Sequence, residues 1–155
     1  MGTSRDESEA EIMILGCGTS NLAEELYFKA GFENITNLDF SQAVINFMGE
    51  ALEKTQEGLN ETRKFENMEY LCIDICDIDN AIDEEIFEEN SYDLIIDKGC
   101  LDAIACNEDP EKMAQAINNV QRLLVPGGTY FLVSRGSPLM RLHLFESNGI
   151  VEDDQ

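Results

Sequence analysis

The residues best suited to chemistry in this chain are a glycine turn and three aspartates. An unbroken apolar run, Ile12 to Leu15, leads into Gly16-Cys17-Gly18-Thr19-Ser20. Glycine lets a backbone turn sharply and leaves no Cβ between chain and ligand. A strand, a glycine turn and a helix start make a nucleotide-type site at the C-terminal end of a parallel strand. A dinucleotide fingerprint needs a third glycine, and Asn21 stands in its place. The phosphate-cradling Gly-x-x-x-x-Gly-Lys-Ser/Thr motif is also absent. Acids remain. Asp39, Asp74 and Asp97 each close an apolar stretch. A carboxylate at Asp39 can accept both hydroxyls of a ribose, and one at Asp74 can take a proton from an adenine amino group. Asp97 falls beside the place of a reacting group. Three acids around one crevice suit a nucleoside carrying positive charge and suit pyrophosphate badly.

The surrounding periodicity predicts the elements that hold these groups. Strand one is Ile12 to Gly16. A first helix runs from about Ser20, its cap, to Ala30, with Gly31 placed to stop it. Asn34 to Phe40 is strand two. Ser41 caps a helix over Gln42 to Glu57, whose Val44, Ile45, Met48 and Leu52 form a buried stripe. Gly58 to Glu66 is a polar loop and Met68 to Ile73 is strand three. Asp77 to Glu89 reads as one acidic amphipathic surface helix. Tyr92 to Asp97 is strand four, and Lys98 to Ala103 turns into a short helical segment. Asp109 caps a helix that begins at Pro110, carries a stripe of Met113, Ile117, Val120 and Leu124, and stops at Val125-Pro-Gly-Gly128. Thr129 to Ser134 is strand five, with Tyr130 and Phe131 in the core. The order of elements predicts an α/β fold with a doubly wound, mostly parallel sheet. Residues 10–145 form the domain, between a disordered tail at 1–9 and an acidic tail at 146–155.

Ten Lys and Arg face 32 Asp and Glu in 155 residues, a formal charge of −22. A surface that repels phosphate excludes DNA, RNA and anionic membranes as expected partners. It would steer a basic protein. Five cysteines without Cys-x-x-Cys spacing and a lone histidine, His143, predict no metal site. Free thiols and no secretory leader point to a reducing, cytoplasmic location.

Five segments in order carry a family resemblance: Ile14-Leu-Gly-Cys-Gly-Thr-Ser20, Asn37-Leu-Asp-Phe-Ser41, Cys72-Ile-Asp-Ile75, Tyr92-Asp-Leu-Ile-Ile-Asp-Lys-Gly99 and Leu124-Val-Pro-Gly-Gly128. Together they resemble the class I S-adenosylmethionine-dependent methyltransferases. The run Asp97-Lys-Gly-Cys-Leu-Asp-Ala103 is similar to a segment of the branch that holds lysine methyltransferases of elongation factor 1-alpha. Ser134-Arg-Gly-Ser-Pro-Leu-Met-Arg141 resembles the segment after strand five in that branch. The resemblance implies a Rossmann-like methyltransferase core, here shortened at both ends, and S-adenosyl-L-methionine as cofactor. By position, Gly16, Cys17, Gly18 and Ser20 border its methionine part. Asp39 holds the ribose with Phe40 and Ser41 beside it, and Asp74 and Ile75 contact the adenine. Asp97 and Lys98 line the entrance for an acceptor amine, and the resemblance to the lysine methyltransferase branch implies a protein lysine as substrate. The family sheet usually adds two strands beside strand five; without them strand five is an open edge that a partner could cover. The alternative reading is a non-catalytic methyltransferase-like module that binds a partner.

Overall fold

The computed structural model describes residues 7–58, 65 and 67–147. Its centre is β1 (Glu11–Leu15), where four of five residues are buried. Alternation along the strand sends Ile12 and Ile14 to one face and Met13 and Leu15 to the other. Each face therefore has its own core. Met13 and Leu15 pack with Leu38, Ile78, Phe87, Ile95, Val120 and Leu123. Ile12 and Ile14 pack with Ile35, Ile45, Met48, Phe65 and Ile96. A strand covered on both faces has no polar side to show, which is why its sequence is uniformly apolar. Each such buried side chain contributes roughly 1.5–3 kcal/mol.

The sheet has five parallel strands in the order β3-β2-β1-β4-β5. β2 (Asn34–Asp39) and β4 (Tyr92–Lys98) flank β1, so that Leu15 sits opposite both Leu38 and Asp97. β3 (Met68–Cys72) lies outside β2, and β5 (Leu124–Val133) lies outside β4. The chain winds outward from β1 on one side and returns to wind outward on the other. Such a reversal opens a crevice at the C-terminal ends of the strands.

Helices obey the capping signals closely. α1 (Leu22–Glu25) continues into a π-helical turn, Leu26–Ala30, and ends at Gly31 with φ 80°. Ser20 is not its N-cap: Asn21 is, without a side-chain bond, while Ser20 Oγ accepts from the Leu22 amide at 3.3 Å. α2 (Gln42–Glu57) starts from Ser41, whose side chain accepts from the Val44 amide. α5 (Pro110–Leu123) starts from Asp109, whose carboxylate accepts from the Glu111 and Lys112 amides. α4 (Cys100–Ala105) is the short segment after β4, and α6 (Pro138–Ser147) comes after β5.

Three expectations are corrected. The helix read over Asp77 to Glu89 is only α3 (Asp79–Asp83). Glu85 takes φ 59°, and the amides of Glu85 and Ile86 close back on the carbonyls of Ile82 and Ala81. This is a Schellman ending with a glutamate where glycine is usual. It turns the chain so that Phe87 is buried to 2% exposure. Second, β5 begins at Leu124, straight after α5, and absorbs Pro126-Gly-Gly128 as an irregularity: Tyr92 pairs with Leu124 but Leu94 with Thr129. Proline cannot donate to a ladder, so the extra residues bulge out. Third, Phe131 is 56% exposed rather than core: it shares the face of Ile96, with which it pairs, but lies on the edge strand beyond the core formed there.

The polar loop read at Gly58 to Glu66 lies largely outside the described residues, but Phe65 within it is buried and packs on Tyr27 with ring centroids 4.8 Å apart. Of the tail read at 1–9, residues 7–9 form a short 3-10 turn, and the Ser8 carbonyl accepts from the Asn34 side chain. The rest of that tail, and residues 148–155, lie outside the described residues.

Candidate active site

A crevice of about 470 Å³ opens where the strand ends meet α4 and the first turn of α5. This is within the roughly 300–1,000 Å³ range of small-molecule sites. Gly16 lines its floor at φ +54°. A Cβ there would lie 2.9 Å from the Cβ and 3.0 Å from the Sγ of Cys100, so the glycine lets the turn pass against α4. Asp39, at the end of β2, is held from two sides. Its Oδ2 accepts from the Gly18 amide at 3.0 Å and its Oδ1 from the Ser41 amide at 2.9 Å. The carboxylate is thereby fixed at the edge of the crevice that it lines. Phe40 stands on the rim, 77% exposed. Asp74 also lines the crevice, its Oδ1 accepting from the Cys76 amide at 2.9 Å. Ile75 is buried beside it, and its carbonyl accepts from the Asn119 side chain at 2.8 Å. Lys98 reaches the crevice from the end of β4.

The other named residues support this surface without lining it. Cys17 is buried in the core beneath the turn, and burial together with Asp39 pushes its thiol up to about 11. Gly18 and Ser41 act through the amides that orient Asp39, and Ser20 through the Leu22 amide. Asp97 is the substantive correction. It does not line an entrance. Its carboxylate is 1% exposed and accepts from the amides of Cys100 and Leu101 and from the Tyr130 hydroxyl at 2.8 Å. Burial raises its pKa above the ordinary carboxylate value, against the pull of those donors, and Asp102 pushes the same way as burial. With three protein donors on its two oxygens and no place in the crevice lining, this carboxylate ties α4 to β5.

Sequence reasoning missed the wall that Asp97 orients. Cys100, Ala103 and Ile104 line the crevice from α4. Their i, i+3, i+4 spacing was a legible signal, since it places three small or apolar side chains on one helical face. Cys76, Asn107 and Lys112 also line it, and no sequence spacing marks them. Burial, then Asp74, pushes the Cys76 thiol up to about 11, which favours its neutral form.

The donor set fits a positively charged nucleoside. Two carboxylates, Asp39 and Asp74, line a crevice that also carries the aliphatic side chains Leu38, Ile73, Ile75 and Ile104 and, toward β4 and α5, Lys98 and Lys112. A ribose diol and an exocyclic amine supply what these two acceptors need. A methyltransferase-domain family model matches residues 6–148. The chain belongs to this methyltransferase family.

The relatives of the chain agree with that family. It is 31% identical over 143 residues to the EEF1A lysine methyltransferase 4 of Mus musculus, covering 86% of this chain and 49% of that protein. It is 32% identical over 127 residues to the eEF1A lysine and N-terminal methyltransferase of Homo sapiens, covering 80% of this chain and 16% of that protein. The chain thus spans half or less of the length of these curated relatives. Among solved structures, an S-adenosylmethionine-dependent methyltransferase from Clostridium acetobutylicum superposes with a TM-score of 0.56 at 23% identity, covering 78% of this chain and 41% of that one. The fold is that of the Rossmann-like class I methyltransferases, and S-adenosyl-L-methionine is the cofactor of that class.

Proposed function

We propose that this chain transfers a methyl group from S-adenosylmethionine to the side-chain amine of a protein lysine. The observation that carries this is Asp39 at the end of β2, pinned by the Gly18 and Ser41 amides and lining the crevice. When bound, S-adenosylmethionine supplies a methyl group made electrophilic by its sulfonium, so the reaction is a direct displacement. Asp39 takes the ribose hydroxyls, Asp74 the adenine amine, and Gly16 the passage of the methionine part. Ile75 and Ile104 wall the base. The protein's contribution is chiefly orientation, which can reach about 7–11 kcal/mol.

The acceptor enters past Lys98. A lysine attacks only as the neutral amine, and the Lys98 ammonium at the rim disfavours a second cation beside it. This lowers the acceptor's pKa and sends its proton to solvent at the mouth. In this reading Asp97, which accepts from Cys100, Leu101 and Tyr130, holds the crevice wall in place.

The names of the relatives support elongation factor 1-alpha as the acceptor, and the charge of −22 favours a basic protein surface. The apolar side chains Phe131, Val133, Leu139 and Met140, all exposed on β5 and α6, are the surface we assign to protein contact. Five free thiols support the cytoplasm as the place of action.

The test is calorimetric titration with S-adenosylmethionine and S-adenosylhomocysteine, and then labelled methyl transfer to recombinant elongation factor 1-alpha. Binding that Asp39→Ala abolishes, and label on a lysine, are the expected results. A folded chain that binds neither nucleoside would overturn the reading. Binding without transfer to any protein would leave a cofactor-holding module instead.

A further inference from the structure

The segments after β4 and after β5 meet at one carboxylate. Asp102, on α4, has a half-buried side chain, and so does Arg141 on α6, at 17% and 16% exposure. Asp102 Oδ1 accepts from Ser134 Oγ at 2.5 Å and from Arg141 Nη2 at 2.5 Å, and its Oδ2 accepts from the Arg135 amide at 2.6 Å. Ser134 Oγ in turn accepts from Arg141 Nε at 2.8 Å and from the Gly136 amide at 3.0 Å. Gly136 makes this possible. A Cβ at that position would lie 2.6 Å from Arg141 Nε and 2.8 Å from its Cζ. The guanidinium lies over the backbone at Gly136, and a side chain there would make it shift. The Ser134 hydroxyl and the Arg135 amide, with Arg141, hold the Asp102 carboxyl below the usual carboxylate range.

None of these groups lines the crevice. What they share is α4, whose opposite face supplies Cys100, Ala103 and Ile104 to the crevice wall. The same helix is held at its first turn by Asp97, which also draws a donor from β5, the Tyr130 hydroxyl. Asp97 and Asp102, five positions apart in sequence, thus tie the crevice wall to β5 and to the Ser134–Arg141 segment beyond it. In its own helix α4 has little to hold it, with six residues and no side-chain cap at Gly99.

We propose that Asp102, with Ser134 and Arg141, is a positioning latch that fixes α4 as the wall of the cofactor crevice, so that nucleoside affinity depends on residues that never touch it. The latch rests on the methyltransferase reading for its ligand, but hydrogen exchange decides it separately.

Calorimetric titration with S-adenosylhomocysteine and hydrogen exchange are compared for the wild type, Arg141→Met and Arg141→Lys. Arg141→Met keeps the aliphatic stem and removes the donors. It should weaken binding by about tenfold and speed exchange at residues 100–105, with the amides of β1 and β2 unchanged. Arg141→Lys keeps the charge beside Asp102 and should stay within about threefold of the wild type. Unchanged affinity in a folded Arg141→Met protein would overturn the proposal, as would exchange that rises equally across the sheet, which is the sign of a merely structural residue. A wild type that binds no S-adenosylhomocysteine would sink the methyltransferase reading, and the exchange at α4 would then decide the latch alone.

Discussion

Asp39 and Asp97 end two strands of the same sheet, yet folding gives them opposite duties. Among the described residues the Gly18 and Ser41 amides hold the Asp39 side chain, which lines the crevice. Asp97 is enclosed by α4 and Tyr130 and faces no solvent. The enclosure has a consequence for stability. Its folded pKa lies above the unfolded one, so between the two values the folded chain binds more protons. Stability therefore falls as pH rises from the ordinary carboxylate value toward the raised one, and stays lower above it. Asp97→Asn removes the titrating group and should flatten that part of the profile, read as the free energy of urea unfolding across a pH series. A profile unchanged by the substitution would mean that Asp97 does not titrate in the fold. At this scale the sequence showed which residues are carboxylates at strand ends. It could not show which of them a tyrosine 33 positions away would cover.

Elements are where local signals were most legible. The Ser41 and Asp109 caps begin α2 and α5 where the sequence places them, because a cap is a bond between a residue and its near neighbours. Gly16 shows the complementary case. Its φ of +54° was foreseeable in a glycine turn, but its contact with Cys100 joins segments far apart in sequence. Gly16→Ala should destabilise the fold by about 1–2 kcal/mol from the left-handed backbone alone, and by more from that contact, measured by thermal or urea unfolding. A loss smaller than this would show that the turn relaxes away from α4. Glu85 offers the reverse test. A glutamate at φ 59° ends α3 where glycine is preferred, so Glu85→Gly should raise stability by up to about 1 kcal/mol. Lower stability would mean that the side chain has a partner worth more than the strain. The acidic stretch read as one helix misled because apolar spacing alone does not reveal a Schellman turn made without glycine. The strand read from Thr129 misled because Pro126-Gly-Gly128 signals a break, whereas pairing with β4 on either side carries the strand through it.

For the whole molecule, charge dominates. With 32 acids against ten bases, self-repulsion opposes the compact state. Raising salt from about 0.01 M to about 0.15 M shortens the screening length from about 30 Å to about 8 Å and should raise the thermal midpoint. The same salt should slow methyl transfer to a basic acceptor by weakening its attraction. Scanning calorimetry and initial rates over that range check the pair, and a midpoint that falls with salt would show that specific ion pairs outweigh the net charge. The order of strands and helices, the parallel sheet, the glycine turn and the acids around it were determined by the sequence itself, since periodicity and caps are written in near neighbours. The tertiary structure alone decided that Asp97 faces inward, that Cys100, Ile104 and Lys112 enter the crevice, and that Asp102 meets Arg141 across 39 positions. Those outcomes depend on which distant segments pack together, and packing is a property of the folded whole.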